Sequence, residues 1–342
     1  MRYVKLGKTD IDVSALSLGC WAFAGGTYWG EQDEQASIYT IDAALDAGIN
    51  FLDSAQGYEN GVSERVVGKA LKNQGKALKG GKRNNAIIAT KVSFGNHYYA
   101  DTMVEACETS LRNLQTDYID LYYLHWPNMK VPFDEPMEGL YRLKKQGKIR
   151  AAGISNFGLK QMGMLEETGK FDILEAHQLP YNLFWRAIEH GIQHKSIEKG
   201  LSIVCYSTLA QGLLSGKYYS AAESPEHLKA TRFFNDPDGK FHGTPGCEDE
   251  VFKALRELRP LCESAGLTMP QACLAWLFRQ AGVTSLLTGP RNVDELMENI
   301  RCIGVDISDD FAAQMAEISE PVRAKIGDNP DMWFVGNQAR TY

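Results

Sequence analysis

Eight short apolar runs rich in strand-forming residues, separated by stretches with helical spacing, constrain this chain more than any other feature. They are Ala15–Trp21, Asn50–Asp53, Ala86–Lys91, Ile119–His125, Ile149–Ser155, Glu175–Gln178, Ile203–Ser207 and Thr284–Gly289. Such alternation is the pattern of parallel βα units. Between the first two runs, Ile38, Ile41 and Leu45 share one helical face, and Gly48 stops that helix. A later helix is expected to open at Thr102-Met103-Val104-Glu105, a capping-box spacing, with Val104, Cys107, Leu111 and Leu114 inward. Asp134 and Pro136 open the next, and Gly147 ends it. With no composition break between units, the 342 residues predict an α/β fold, one (β/α)8 TIM barrel spanning 1–342.

Two segments break the rhythm. Residues 218–247, after the seventh strand, are rich in Gly, Pro, Asp and Ser, with one short helical stretch at most. A loop that long is usually functional, and this one is expected to hang over the barrel mouth as a lid. The tail from Glu320 to Tyr342 carries Met332, Trp333 and Phe334. Those aromatics close the mouth or pack on a neighbouring subunit; both alternatives stay open here, and so does the oligomeric state.

Bulk properties exclude several classes. A net charge of −7 argues against a sequence-independent grip on nucleic acid. No stretch reaches the ~18 consecutive apolar residues of a membrane span, so no membrane partner is expected. The start, Met1 to Asp10, lacks the apolar core of a secretory signal. Seven scattered cysteines without a Cys-x-x-Cys pair read as reduced thiols in a cytoplasmic setting. No metal is expected: His190 and His194 stand four apart on an expected surface helix, without a third ligand nearby.

The chemistry concentrates at the carboxyl ends of three strands, the rim where barrel active sites are built. Asp53 ends the second strand, Tyr58 lies in the loop beyond it, Lys91 ends the third and His125 the fourth. Free tyrosine is too weak an acid at neutral pH, with a pKa near ~10. A neighbouring ammonium is expected to lower it, and a carboxylate beside the ammonium to keep that cation charged and oriented. His125 is placed to donate a hydrogen bond to a carbonyl oxygen. Singly, these residues have dull readings as an N-cap, a surface charge, a loop aromatic and a core imidazole; together they make a proton-transfer device.

These residues, in this order, resemble the aldo-keto reductase superfamily. Asp53-Ser54-Ala55-Gln56-Gly57-Tyr58, with Ser63-Glu64 and Val67-Gly68, is similar to that family's first signature. Ala89-Thr90-Lys91, Leu124-His125-Trp126-Pro127, Gly153-Ile154-Ser155-Asn156-Phe157 and Gln178-Leu179-Pro180-Tyr181-Asn182 resemble its later ones. The branches nearest in pattern are the sugar- and inositol-related enzymes and the potassium-channel β-subunits. The resemblance implies Tyr58 as general acid tuned by Lys91 and Asp53, with His125 orienting the carbonyl. It also implies a nicotinamide cofactor across the mouth without a Rossmann domain, and no strand–Gly-x-Gly-x-x-Gly–helix element is present.

By the same resemblance Ser155, Asn156 and Gln178 hold the carboxamide, and Tyr206 stacks on the nicotinamide. Ser207, Leu209, Gly212 and Lys217 belong to the pyrophosphate loop, and Gly289, Arg291, Glu295, Glu298 and Asn299 to the adenosine end. Glu295 stands where many relatives carry Gln or Arg, and its charge opposes a 2′-phosphate. Arg291, joined by Arg232 from the lid, favours one. The balance is expected to fall to NADP(H) over NAD(H).

Trp21 and Trp126 follow strands one and four and are expected to line the substrate pocket. Tyr28, Trp29, His97, Tyr98 and Tyr99 are candidates for an aromatic fringe, while Ser63-Glu64 reads as a helix start. The expected activity is reduction of a small-molecule aldehyde or ketone to its alcohol, with a sugar-derived carbonyl as the expected substrate. One rival is a cofactor-binding regulatory module like the potassium-channel β-subunits, disfavoured by the complete tetrad. Another is a carboxylate-driven hydrolase, which needs two acidic groups where the motif positions offer only Asp53.

Overall fold

The computed structural model describes residues 1–72, 82–93 and 96–341. Among them the strands are β1 (Tyr3–Lys5), β2 (Asp12–Ser14), β3 (Leu16–Gly19), β4 (Phe51–Asp53), β5 (Ile87–Val92), β6 (Ile119–Leu124), β7 (Ile149–Ser155), β8 (Leu174–Pro180), β9 (Ser202–Tyr206) and β10 (Val283–Thr288). β3 to β10 form a closed barrel in sequence order, with β10 completing the ring against β3. All eight contacts are parallel. The eight expected strands are these eight, with ends moved by a residue or two.

β1 and β2 are not among the strands expected from the sequence. They pair antiparallel, Tyr3 opposite Ser14 and Lys5 opposite Asp12, and are too short to show a period. Leu6, Ile11 and Val13 from this hairpin join Phe51, Ala89, Leu121, Tyr123, Ala151, Ala176, Val204 and Leu287 in an apolar cluster inside the ring. The hairpin therefore plugs the end of the barrel opposite the strands' carboxyl ends. The alternate residues, such as Leu52, Ile88, Tyr122, Leu124, Ile154, Ile203 and Leu286, face the helices and form the larger core. Strand geometry turns successive side chains to opposite faces, so each strand feeds both cores.

Several helix boundaries follow the expected signals. The helix Glu34–Asp46 is capped by Asp33, whose carboxylate accepts from Ala36 N–H, and Gly48 follows in a left-handed conformation at φ 88°. The helix Asp134–Lys145 ends before Gly147, at φ 70°. Thr102 is a correction: its helix runs Ala100–Leu114, so Thr102 lies in the first turn and its hydroxyl donates to Tyr99 O. His190 is another, because it precedes the helix Ile192–Glu198 that contains His194. Residues 218–247 hold two short helical pieces, Ala221–Glu223 and Glu226–Lys229, rather than one.

Gly153 shows how tightly the inner layer is filled. A Cβ there would meet two Tyr123 ring carbons at 2.6 Å and Ala176 O at 3.0 Å. Tyr123 can lie across the barrel only because its β7 neighbour has no side chain. Gly153→Ala is therefore expected to lower unfolding free energy by about 1–3 kcal/mol, read as a shift of the urea midpoint.

Candidate active site

The inward positions of the last strand residues bring the expected groups together. Asp53 sits in register with Ala89 and Lys91 with Tyr123, while Ser155 pairs with Gln178. Asp53, Lys91, Ser155, Gln178 and Tyr206 share the inward parity of Phe51, Ala89, Ala151, Ala176 and Val204, so they form the uppermost layer of the barrel interior. Lys91 Nζ donates to Asp53 Oδ1 at 2.5 Å, to Ser54 O at 2.7 Å and to Tyr58 Oη at 3.3 Å. The other Asp53 oxygen accepts from Gln178 Nε2 at 2.7 Å. Both Lys91 and Asp53 are buried.

Tyr58 reaches this layer from a loop bent back on itself. Glu59, Asn60 and Gly61 all have positive φ, 45°, 51° and 80°, just before the helix Val62–Lys72. Left-handed non-glycine residues store strain and mark a constrained turn. The phenol ring stacks on Trp21 at 5.4 Å and meets the His125 ring edge-on at 5.8 Å. Ser63 and Glu64 support the helix, as expected: Ser63 donates to Cys20 O, and Glu64 accepts from Thr90 and Asn113.

Electrostatics corrects one expectation. Removal from water, with the nearby Asp53 charge, holds the Tyr58 hydroxyl well above its ordinary pKa. The expected lowering by Lys91 does not prevail, because that ammonium lies closest to Asp53 and is spent on it. Desolvation raises Asp53 and lowers Lys91, and their mutual attraction opposes both shifts. His125 is pushed well below its usual value by desolvation and by the Lys91 and Arg340 charges, so the imidazole is neutral. The site thus presents a protonated phenol and a neutral imidazole at physiological pH.

Asn156 links the neighbouring strand ends. In a left-handed conformation at φ 67°, it donates to His125 O and Ser155 Oγ and accepts from Tyr206 Oη at 2.7 Å. Beyond Tyr206 the chain has positive φ at Ser207, Ala210, Gln211, Gly212 and Gly216, a contorted backbone suited to curling round a phosphate. Gln211 Nε2 and Trp29 Nε1 are buried donors without a partner among the described residues. These features fit a nicotinamide dinucleotide along Ser155, Asn156, Gln178, Tyr206, Ser207, Leu209, Gly212 and the exposed Lys217.

At the far end Arg291 donates from Nε to Gln32 and from Nη2 to Glu31 O. Its backbone N–H donates to Glu295 Oε2, so the Glu295 charge is turned back on its own loop. Gly289 follows β10 beside Gly19, and Glu298 and Asn299 lie in the helix Val293–Ile300. Arg232 is a correction. Its guanidinium donates to Ile326, Asn329 and Asp331 carbonyls and lies over Trp185; it ties 218–247 to the tail and is not spare for a phosphate.

The aromatic residues sort differently from expectation. Trp21 is stacked between Tyr58 and Tyr28, and Tyr28 and Trp29 both pack on His227 from the 218–247 loop. Tyr98 is not a fringe residue: it is buried and its hydroxyl donates to Trp126 O at 2.6 Å. His97 and Tyr99 are exposed. Trp126 is covered by Arg340, and Trp333 from the tail lies parallel to Tyr206 at 6.4 Å. The tail therefore packs at the mouth of its own barrel; Tyr342 lies outside the described residues. Arg340 and Asp331 carry no periodicity or motif that marks them in the sequence.

Comparison with known proteins agrees with this geometry. The profile of the Aldo/keto reductase family matches residues 15–320. The aldo-keto reductase YhdN of Bacillus subtilis is 36% identical over 304 residues, covering 86% of this chain and 87% of that protein. The NADH-specific methylglyoxal reductase of Escherichia coli is 30% identical over 341 residues, 94% of this chain and 99% of that one. A solved aldo-keto reductase from Klebsiella pneumoniae in complex with NADPH superposes with a TM-score of 0.74 at 26% identity, covering 97% and 99% of the two chains. No helix among the described residues is long and apolar enough to cross a membrane. A barrel mouth holding this tetrad, and a family match along almost all of the chain, lead to one assignment: the chain belongs to the aldo/keto reductase family and is an NAD(P)-dependent oxidoreductase.

Proposed function

We propose that this protein reduces a small aldehyde or ketone to its alcohol with Tyr58 as proton donor. The observation that carries this reading is the Asp53–Lys91–Tyr58 chain of hydrogen bonds within the mouth. A bound nicotinamide supplies the hydride for the carbonyl carbon. The chain's own residues then have separate tasks. The neutral His125 donates to the carbonyl oxygen and aligns it. Tyr58 gives its proton to the developing alkoxide, and Lys91, 3.3 Å away, stabilises the phenolate that remains. Asp53 holds the ammonium in place, and Gln178 holds Asp53. Packed aromatic rings exclude water, and the 218–247 loop, tied to them through His227, acts as a lid.

The aromatic walls Trp21, Tyr28, Trp29, Trp126 and Trp333 support a carbohydrate-derived carbonyl, since sugar rings stack on flat apolar faces. For the cofactor, NADP(H) is preferred. The NADPH complex of the Klebsiella relative supports this, as does the engagement of Glu295 by a backbone N–H beside Arg291. The NADH-specific relative makes the opposite outcome a real alternative. Titration of protein fluorescence with each dinucleotide decides it: NADPH is expected to bind more tightly, and tighter NADH binding reverses the assignment.

Tyr58→Phe is expected to lower turnover about 10²–10⁴-fold while cofactor affinity is retained. A variant that keeps most of its rate would locate the proton elsewhere. The pH profile gives a second check. His125 is displaced below its ordinary value and Tyr58 above its own, so neither changes protonation between about pH 6.5 and 9. The kcat/KM for reduction is expected to be flat across that interval, with any fall from ionisation of the phenol only above the ordinary tyrosine range. A break near ~6.5 would show an imidazole titrating in the reaction.

A further inference from the structure

The tail makes an unusually complete polar knot at the mouth. Asp331 is fully buried, and its two oxygens accept from Trp333 N–H, Phe334 N–H, Arg340 N–H, Arg340 Nε and Arg340 Nη2. The carboxylate thereby fixes the plane of the Arg340 guanidinium. That plane lies over Trp126, 3.4 Å from the ring centroid, and within 4.7 Å of Phe334 and 5.7 Å of Trp333. Trp126 and Trp333 in turn meet edge-on at 6.0 Å. The backbone at Arg340 is held as well: Gln161 Nε2 donates to Arg340 O, and Thr341 Oγ1 donates to Asn156 O. One guanidinium thus connects the residue after His125 to the ring that faces Tyr206.

We propose that Arg340, clasped by Asp331, is a positioning residue that sets Trp126 and Trp333 as two walls of the carbonyl pocket. This deepens the reading above and rests on it, since it names what shapes the substrate side of the same mouth. The geometry demands arginine. Lysine can neutralise Asp331, but it offers neither a two-pronged fork nor a flat face to lay on an indole. Carbonyls large enough to reach the indole walls should depend on the clasp, whereas small ones should not. The rival view is that the knot only seals the tail, in which case loosening it lowers melting temperature without touching substrate selection.

Arg340→Lys keeps the charge beside Asp331 and is the first variant to make. With 4-nitrobenzaldehyde its KM is expected to rise about tenfold or more, with kcat within about threefold and the NADPH dissociation constant within about twofold. With methylglyoxal KM should move less than about threefold. Asp331→Asn should give the same selective rise, and the double variant should be no worse than the poorer single one, because the pair acts as a unit. Unchanged KM ratios, or a cofactor affinity that falls in step with KM, would overturn the proposal. If the unaltered protein reduces neither aldehyde, the reaction assigned above fails. The wall assignment is then decided separately, by quenching of tryptophan fluorescence as 4-nitrobenzaldehyde binds the NADP-loaded protein: weaker binding to Arg340→Lys supports it, and equal binding sinks it.

Discussion

The ion pair between Asp53 and Lys91 is the constraint around which the mouth is arranged. Two opposite charges buried at the top of a barrel are costly to desolvate, and each is tolerable only because the other is 2.5 Å away. Gln178 and Ser54 O take up further hydrogen-bonding capacity of the pair. Breaking such a buried pair ordinarily costs about 3–5 kcal/mol, because the survivor is left uncompensated. The same burial keeps the neighbouring phenol protonated. In the proposed reaction, Lys91 therefore acts less by acidifying resting Tyr58 than by standing ready for the phenolate once the proton has gone.

Around that pair the molecule is layered by side-chain type. The hairpin β1–β2 and the inward apolar residues fill the lower barrel, and the polar layer sits above them. A shell of rings then separates the polar layer from bulk water: Trp21 stacks on Tyr28, the Trp333 indole N–H donates to Tyr28, and Trp333 meets Trp126. These rings come from segments far apart in the chain, and three of the four are anchored by polar contacts. Tyr28 donates to Gln211, Tyr98 props Trp126, and Asp331 organises the tail. Rings supply area and exclude water, while the anchors supply position.

Much of this was legible in the residues. Strand positions, the helix stops at Gly48 and Gly147, and the rim positions of Asp53, Lys91 and His125 all follow from period and turn chemistry. What escaped was of two kinds. The hairpin is three residues a side, too short for alternation to register. The roles of Arg232, Tyr98 and Arg340 depend on partners about 100, 28 and 214 positions away, and no local pattern encodes a partner that distant. Arg232 looked like a phosphate ligand because its type fits that task; its neighbours in space are carbonyls.

By itself, then, the order of residues determined which side chains stand on the inward face of which strand, because a strand alternates with period two whatever surrounds it. That was enough to name the tetrad and the family it resembles. Only the tertiary structure decided the charge states and the walls. The direction of the Tyr58 shift depends on how dry the mouth is and on which neighbour holds the Lys91 ammonium. The packing of the rings at the mouth depends on a tail returning across the barrel it began from. Both are sums over contacts between distant segments, and such sums exist only once the chain has closed on itself.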